Sequence, residues 1–220
     1  SSSDITNFPL LKKIALKKKP ILISTGASSL EEIQKSIKYL RQNHCKQIVI
    51  MHCILNYPTL DKDANLNMIS SLKKNFPNNL IGYSDHTLPS MDMKNIVTAY
   101  ILGARVIEKH FTISNNFSTF RDHLHSANPK QLNELSKKLK KINIILGNQK
   151  KIITRNELKN IKSTRRGIYA SKNLVKNQIL KKDDLILLRP ETKLKIEDTS
   201  KVIGKKTNKN IYKFDEIKLS

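Results

Sequence analysis

Two stretches of the chain decide the fold: Leu80-Ile81-Gly82-Tyr83-Ser84-Asp85-His86 and Arg105-Val106-Ile107-Glu108-Lys109-His110. Each is a short apolar run that ends in a histidine. Strands this continuously apolar are typical of a parallel α/β sheet that is covered on both faces. The carboxyl ends of neighbouring parallel strands lie at one rim of the sheet, where chemistry is normally done. The pattern therefore predicts that His86 and His110 meet at that rim.

Two neutral imidazoles at such a rim could hold a divalent metal ion and leave its other positions open to a substrate. The ordinary alternative is that each histidine caps its strand and hydrogen-bonds to backbone. For either histidine alone we favour this alternative. For His86 and His110 together, each with polar neighbours, we favour the metal site.

The first 148 residues alternate apolar runs with helical patterns. Strands are predicted at residues 21–24, 48–52, 80–84 and 106–110, and helices from Ser28 or Ser29, around Leu66 to Leu72, over about 91–102, and from Pro129 to Gly147. Four such βα units are half of an eight-stranded TIM barrel. Because the chain opens with Ser1 and not with methionine, we expect it to be a fragment that lacks the earlier strands.

The pattern changes after Gly147. Residues 149–164 are rich in lysine and asparagine and are predicted to be a linker. Short apolar segments then follow, separated by polar turns, so residues 165–220 are predicted to form a small β-rich domain near the lower size limit for an independent core.

The formal net charge is +23, which suggests nucleic acid as a partner. However, only 7 of the 41 basic residues are arginines, the lysines are scattered, and no aromatic residues are interleaved with them. We therefore interpret the charge as a solvated surface that attracts small anionic substrates. A polyanion-binding protein, or a carbohydrate-binding module built on the small domain, is the alternative from another functional class.

The subcellular location is inferred from the segments that the sequence lacks and from its cysteine count. No apolar run approaches the length of a membrane span, and no secretion signal opens the chain. Its two cysteines are too few for a disulfide scaffold. We expect a cytoplasmic protein without a membrane partner.

Several motifs together resemble those of the sialic acid synthases, a family that includes N-acetylneuraminate, legionaminate and pseudaminate synthases. They are Asp4-Ile5-Thr6-Asn7-Phe8-Pro9-Leu10, Ile23-Ser24-Thr25-Gly26, His52-Cys53 with Tyr57-Pro58-Thr59, Gly82-Tyr83-Ser84-Asp85-His86-Thr87 and Ile107-Glu108-Lys109-His110-Phe111. Residues from Arg165-Arg166 to Leu188-Arg189-Pro190 resemble the antifreeze-like SAF domain of the same family. The resemblance covers essentially the whole chain, in the family's order.

The resemblance implies an enzyme that condenses phosphoenolpyruvate with an N-acylated amino sugar, either N-acetylmannosamine or a related 6-deoxy diamino sugar. The products are a nine-carbon 2-keto acid and phosphate. The cofactor implied is Mn²⁺ or Mg²⁺, bound by His86 and His110. A homodimer with exchanged SAF domains is also implied. A different metal-dependent aldol-type barrel is the second enzymatic alternative.

The resemblance also assigns residues to the substrates. Ser2, Ser24 and Ser84 would contact phosphoenolpyruvate with Tyr57 nearby, and Thr25 lies at the strand-to-helix turn whose free N–H groups suit an anion. Asn56 is one residue from the expected place of a polar donor. Asp122 would bind sugar hydroxyls with a catalytic role, and Arg189 would bind the N-acyl group. For each residue the ordinary alternative is a cap, a turn or a solvated surface position.

Other polar residues near these motifs receive simpler assignments. Glu108 is expected in a surface ion pair, and Cys53 in an inert core. His44, His52, His123 and His125 are expected to be ordinary strand-end or loop histidines. The fragment alone is expected to be inactive.

Overall fold

The computed structural model describes residues 1–115 and 121–219, which divide into two compact units, Ser1–Gly147 and Asn148–Ser220. The first unit is a parallel four-stranded half-barrel with helices. Its order is α1 (Phe8–Ala15), β1 (Ile21–Ser24), α2 (Leu30–Gln42), β2 (Ile48–His52), α3 (Asn67–Asn75), β3 (Leu80–Asp85), α4 (Lys94–Leu102), β4 (Val106–Lys109) and α5 (Pro129–Leu146).

The four strands pair in sequence order, β1-β2-β3-β4, and every pair is parallel. The predicted parallel α/β sheet is therefore confirmed. The inner strands β2 and β3 are almost wholly buried, as their apolar sequences indicate, whereas the outer strand β1 leaves Leu22 49% exposed. In register, Ser84 pairs with Glu108 and Asp85 with Lys109, so β3 and β4 end together.

The helix boundaries follow local capping chemistry. Ser29, one of the two predicted caps, begins α2 with a capping box in which its side chain accepts from the Glu32 N–H and Glu32 accepts from the Ser29 N–H. Asn128 begins α5 in the same way with Gln131. α4 begins at Lys94, three residues later than expected, because Met93 has a left-handed backbone with φ of 48°.

The second unit contains α6 (Arg155–Thr164), β5 (Gly167–Ala170), β6 (Leu185–Leu188) and α7 (Thr199–Val202). Strands β5 and β6 form an antiparallel pair. Its core consists of buried aliphatic side chains: Ile168, Ala170, Leu174, Leu180, Val202, Ile211 and Ile217. Residues 149–164, predicted to be a linker, instead contain helix α6, whose capping box is formed by Thr154 and Glu157.

Among the described residues, no helix combines the length and the apolar character that a membrane crossing requires.

The capping box of α2 generates a stability prediction with a neighbouring control. Ser29→Ala removes the side-chain acceptor for the Glu32 N–H and should lower the free energy of unfolding by about 1 kcal/mol. Ser28 donates to the Gly26 carbonyl and caps no helix N–H among the described residues, so Ser28→Ala should cost less. Urea denaturation of both variants measures the difference. An equal or larger loss for Ser28→Ala would contradict the assignment of the cap.

Candidate active site at the carboxyl rim of the sheet

His86 follows β3 directly and is buried. Its Nδ1 lies 2.8 Å from the carbonyl oxygen of Ile54. Because a carbonyl oxygen only accepts, Nδ1 carries the ring hydrogen and Nε2 keeps its lone pair. A backbone carbonyl that holds the far ring nitrogen is the usual way in which a protein orients a metal-binding histidine.

Burial is the main cause that lowers the pKa of His86, with a contribution from nearby His110. The imidazole is therefore neutral at pH 7, as a metal ligand must be. The backbone of His86 is also held in place, because the Thr59 N–H donates to the His86 carbonyl at 2.9 Å.

His110 follows β4 directly, and its ring centroid lies 5.5 Å from that of His86 at an interplanar angle of 80°. The structure thus brings together the two histidines that the sequence placed at one rim. The His110 side chain is 31% exposed, so the space between the rings is accessible from solvent.

The loop that follows β4 returns to the same rim. The Ala127 N–H donates to the His110 carbonyl at 2.7 Å, and the Thr112 N–H donates to the Ala127 carbonyl at 3.0 Å. These backbone bonds bring Asp122 and His125 beside His110. Asp122 Oδ2 lies 3.9 Å from His110 Nδ1, and Asp122 Oδ1 lies 4.0 Å from His125 Nε2.

His125 is a site residue that sequence reasoning missed, since it was assigned to an ordinary loop. Its ring centroid lies 4.4 Å from that of His110. One ligand atom from each of His110, Asp122 and His125 can be chosen so that all three lie within 4.8 Å of one another. The sequence signal that could have identified His125 is its spacing of three residues from Asp122, which is about one helical turn.

Burial, followed by the charge that His110 can carry, lowers the pKa of His125 to about 4. This imidazole is therefore neutral over the physiological range. We refer to His86, His110, Asp122 and His125 below as the rim cluster.

Tyr57 lies against the three rings of the rim cluster. Its ring centroid is 4.2 Å from His86, 5.5 Å from His125 and 6.0 Å from His110. Together with Leu55, Asn56, His110 and Asp122, Tyr57 lines a cavity of about 580 Å³. Asn56, which is one residue from the expected place of a polar donor, thus lies on the cavity wall. Burial raises the pKa of the Tyr57 phenol, which stays protonated and can donate a hydrogen bond.

Ser84 is buried beside His86, with its Oγ 3.3 Å from His86 Nε2. The Ser84 hydroxyl donates to Glu108 Oε1 at 2.6 Å. The expectation that Glu108 forms a surface ion pair is not met among the described residues, where its carboxylate accepts from Ser84. Glu108 therefore places negative charge beside the predicted substrate serine.

The predicted anion-binding turn after β1 is already partly occupied by protein groups. The Gly26 N–H donates to Ser2 Oγ at 3.0 Å, and that oxygen lies 3.3 Å from Cys53 Sγ. The Thr25 hydroxyl donates to the Met51 carbonyl at 3.0 Å. Ser24, the last residue of β1, is half-buried. Cys53 is a buried free thiol, and its contact with Ser2 places it beside this turn.

Arg189 belongs to the second unit, where it follows β6 directly and is exposed. The next residue, Pro190, accepts a hydrogen bond from the Tyr169 hydroxyl at 2.9 Å. The arginine is thus presented at the end of an ordered strand.

A buried ion pair joins the ends of β3 and β4. Lys109 Nζ lies 2.8 Å from Asp85 Oδ2, and both side chains are 3% exposed. Lys109 also donates to the carbonyl of Thr87, while Asp85 Oδ1 accepts from the Tyr83 hydroxyl and from the N–H and hydroxyl of Thr87. Since Asp85 precedes His86 and Lys109 precedes His110, this pair fixes the two backbones that carry the histidines.

Sequence profiles identify the family. The NeuB family profile matches residues 1–151, and the SAF domain profile matches residues 165–213. The fold and the two profile matches thus define a class of protein in which an α/β half-barrel is followed by an SAF domain. The chain belongs to the NeuB family, and the resemblance to sialic acid synthases is confirmed.

Two relatives and one solved structure illustrate the similarity. The chain is 38% identical to an uncharacterized protein of Methanocaldococcus jannaschii, covering 99% of this chain and 63% of that protein. It is 37% identical to the N,N'-diacetyllegionaminic acid synthase of Campylobacter jejuni, covering 98% of this chain and 64% of that enzyme. A crystal structure of a putative spore coat polysaccharide biosynthesis protein E from Chromobacterium violaceum superposes with a TM-score of 0.82 at 28% identity, covering 99% of this chain and 64% of that one. The chain therefore spans slightly less than two thirds of these proteins.

The donors at the rim suit a divalent metal. His86 offers the lone pair of Nε2, which lies 3.3 Å from Ser84 Oγ, and the ring nitrogens of His125 are buried without a hydrogen-bond partner among the described residues. Imidazole nitrogens with one carboxylate are ligands that Mn²⁺, Fe²⁺, Co²⁺ and Zn²⁺ accept, and Mg²⁺ prefers oxygen.

The buried pair generates a second stability prediction. Lys109→Met keeps the aliphatic stem but leaves Asp85 as an uncompensated buried charge, so the free energy of unfolding should fall by about 3 to 5 kcal/mol. Lys94→Met, which breaks the exposed pair with Asp61, should cost less than about 1 kcal/mol. Chemical denaturation of both variants at pH 7 gives the comparison. Similar losses for the two variants would show that the buried pair has no special structural role.

Proposed function

We propose that the chain is the part of a nonulosonate synthase that carries its metal site. The reaction would join phosphoenolpyruvate through C3 to the aldehyde carbon of an open-chain N-acylated amino sugar. Water adds at C2 and phosphate leaves, giving a nine-carbon 2-keto acid. The observation that carries the proposal is that the ring centroids of His86 and His110 lie 5.5 Å apart at the carboxyl rim of a NeuB-family sheet.

His86 and His110, with Asp122 beside them, would hold the divalent cation, Mn²⁺ or Mg²⁺. When bound, such an ion supplies Lewis acidity toward the aldehyde oxygen of the acceptor. The histidines contribute neutral nitrogen donors, of which His86 is oriented by the Ile54 carbonyl. This nitrogen-rich donor set favours Mn²⁺ over Mg²⁺.

Phosphoenolpyruvate would bind beside Ser84, within reach of Ser2, Ser24 and the Thr25 turn. The Ser84 hydroxyl now donates to Glu108, so an anion that takes this hydrogen bond must replace the carboxylate as acceptor. The bound anion and the Glu108 carboxylate would therefore compete for the single hydrogen bond that the Ser84 hydroxyl can donate. The excess of lysine over acidic residues in the chain would favour approach of this trianionic substrate.

The acceptor sugar would occupy the cavity beside the rim cluster. Tyr57 and Asn56 form its wall, and exposed Asp122 can accept hydrogen bonds from sugar hydroxyls. Arg189 would bind the N-acyl carbonyl through its planar guanidinium group. In a homodimer with exchanged SAF domains, this arginine would come from the other subunit. N-acetylmannosamine and 6-deoxy diamino sugars are the acceptor classes, and the similarity to a diacetyllegionaminic acid synthase supports the second.

We further propose that the protein acts in the cytoplasm. We also propose that catalysis needs more strands than these four. Four parallel strands leave open sheet edges, whereas a closed barrel surrounds its site with eight strand ends. The 220-residue chain alone is therefore expected to be inactive.

The test is phosphate release from phosphoenolpyruvate by the complete gene product, with the keto acid identified by mass spectrometry across a panel of amino sugars. His86→Ala and His110→Ala should each lower kcat/KM at least about 100-fold, since each removes a direct metal donor. His44→Asn is the control, because His44 is exposed and its left-handed backbone suits asparagine. Wild-type turnover in both rim variants, or the absence of any keto acid from every sugar, would refute the proposal.

A further inference from the structure

His125 is the most unusual buried polar group among the described residues. The residue is 0% exposed, and neither Nδ1 nor Nε2 has a hydrogen-bond partner in the described part of the chain. A buried imidazole without partners loses its hydration without compensation. Such a group in a native protein requires an explanation, and an ion that binds there is one.

The surroundings of His125 provide other donors for that ion. His110 lies with its ring centroid 4.4 Å away, and Asp122 Oδ1 lies 4.0 Å from His125 Nε2, too far for a hydrogen bond. Ligand atoms of these three residues lie within 4.8 Å of one another. Donor atoms around one metal ion are about 3 to 4 Å apart when each bond is about 2.1 Å long. The three donor atoms are therefore at most about 1 Å further apart than the donors of a bound ion.

His86 lies on the other side of the same space. Its ring centroid is 5.5 Å from that of His110 and 6.2 Å from that of His125, and its Nε2 has a free lone pair. The Tyr57 ring neighbours all three rings, with centroid distances of 4.2 to 6.0 Å. The three imidazole rings are therefore neighbours at one rim, with exposed Asp122 beside His110 and His125.

We propose that His125 is a further metal ligand, so that the ion is held by three imidazoles and one carboxylate. This inference rests on the metal site of the proposed function and deepens it. It makes the site selective: Mg²⁺ prefers oxygen donors and is bound poorly, whereas Mn²⁺ and especially Co²⁺ or Zn²⁺ benefit from each added nitrogen.

The experiment measures binding of metal alone, without substrate. Co²⁺ is titrated into the metal-free protein and followed by calorimetry and by its visible d–d absorption, which reports the number and geometry of its ligands. The protein should bind one Co²⁺, and a large excess of Mg²⁺ should not displace it. His125→Ala should weaken Co²⁺ binding at least about 10-fold and change the visible spectrum.

A second measurement separates loss of a ligand from loss of packing. The Ala variant leaves a cavity at the position of the ring, so added free imidazole should restore the original Co²⁺ spectrum. His123→Asn is the matched control on the same loop: His123 Nδ1 lies 2.7 Å from Thr112 Oγ1, and its replacement should leave Co²⁺ binding unchanged. Circular dichroism verifies that each variant is folded.

The outcomes distinguish this inference from the proposed function. If His110→Ala loses Co²⁺ but His125→Ala keeps both the affinity and the spectrum, the third ligand is refuted and the two-histidine site stands. If His110→Ala also binds Co²⁺ like the unmodified protein, the metal site of the proposed function fails as well. Weakened binding in His125→Ala that free imidazole does not restore indicates a packing role and overturns the ligand assignment.

Discussion

The ion pair between Lys109 and Asp85 is the interaction on which the candidate site depends. Two charges with side chains 3% exposed are stable only if their lost hydration is replaced, and here the pair is surrounded by hydrogen bonds from Tyr83 and Thr87. The pair joins the last residues of β3 and β4. Asp85 immediately precedes His86, and Lys109 immediately precedes His110. This contact therefore determines how far apart the two imidazoles lie.

The sequence was sufficient to predict the fold of the first unit. Apolar runs bounded by turn residues gave the four strands, and strands that are consecutive in the chain usually neighbour one another in a sheet, as they do here. Capping chemistry located helix ends well where the signal was complete, as at Ser29 and Asn128. The same chemistry was overlooked at Thr154 and Glu157, where lysine-rich composition suggested a linker and the capping box forms α6.

The site was predicted less completely, for a physical reason. His86 and His110 follow strands, and strand pairing determines where such residues lie. His125 belongs to a loop, and its position depends on the backbone bonds between Ala127, His110 and Thr112, which no local pattern specifies. Glu108 was expected in a surface ion pair, whereas the parallel register places it opposite Ser84, from which its carboxylate accepts a hydrogen bond.

The NeuB family assignment and the rim geometry support each other, since the histidines that meet at the rim are within the residues that the family profile matches. The hydroxyl groups of Ser2, Ser84 and Thr25 are engaged by protein atoms in this structure. Binding of an anion there requires these bonds to be exchanged. The rim therefore combines histidines that are held by backbone contacts with hydroxyls that already have protein partners.

The most direct measurement of the central claim is a crystal structure of the Mn²⁺-soaked protein with anomalous diffraction data. The account predicts one strong anomalous peak between the rings of His86 and His110, covered by Tyr57. A peak elsewhere, or none there at saturating Mn²⁺ with the rings unchanged, would contradict it.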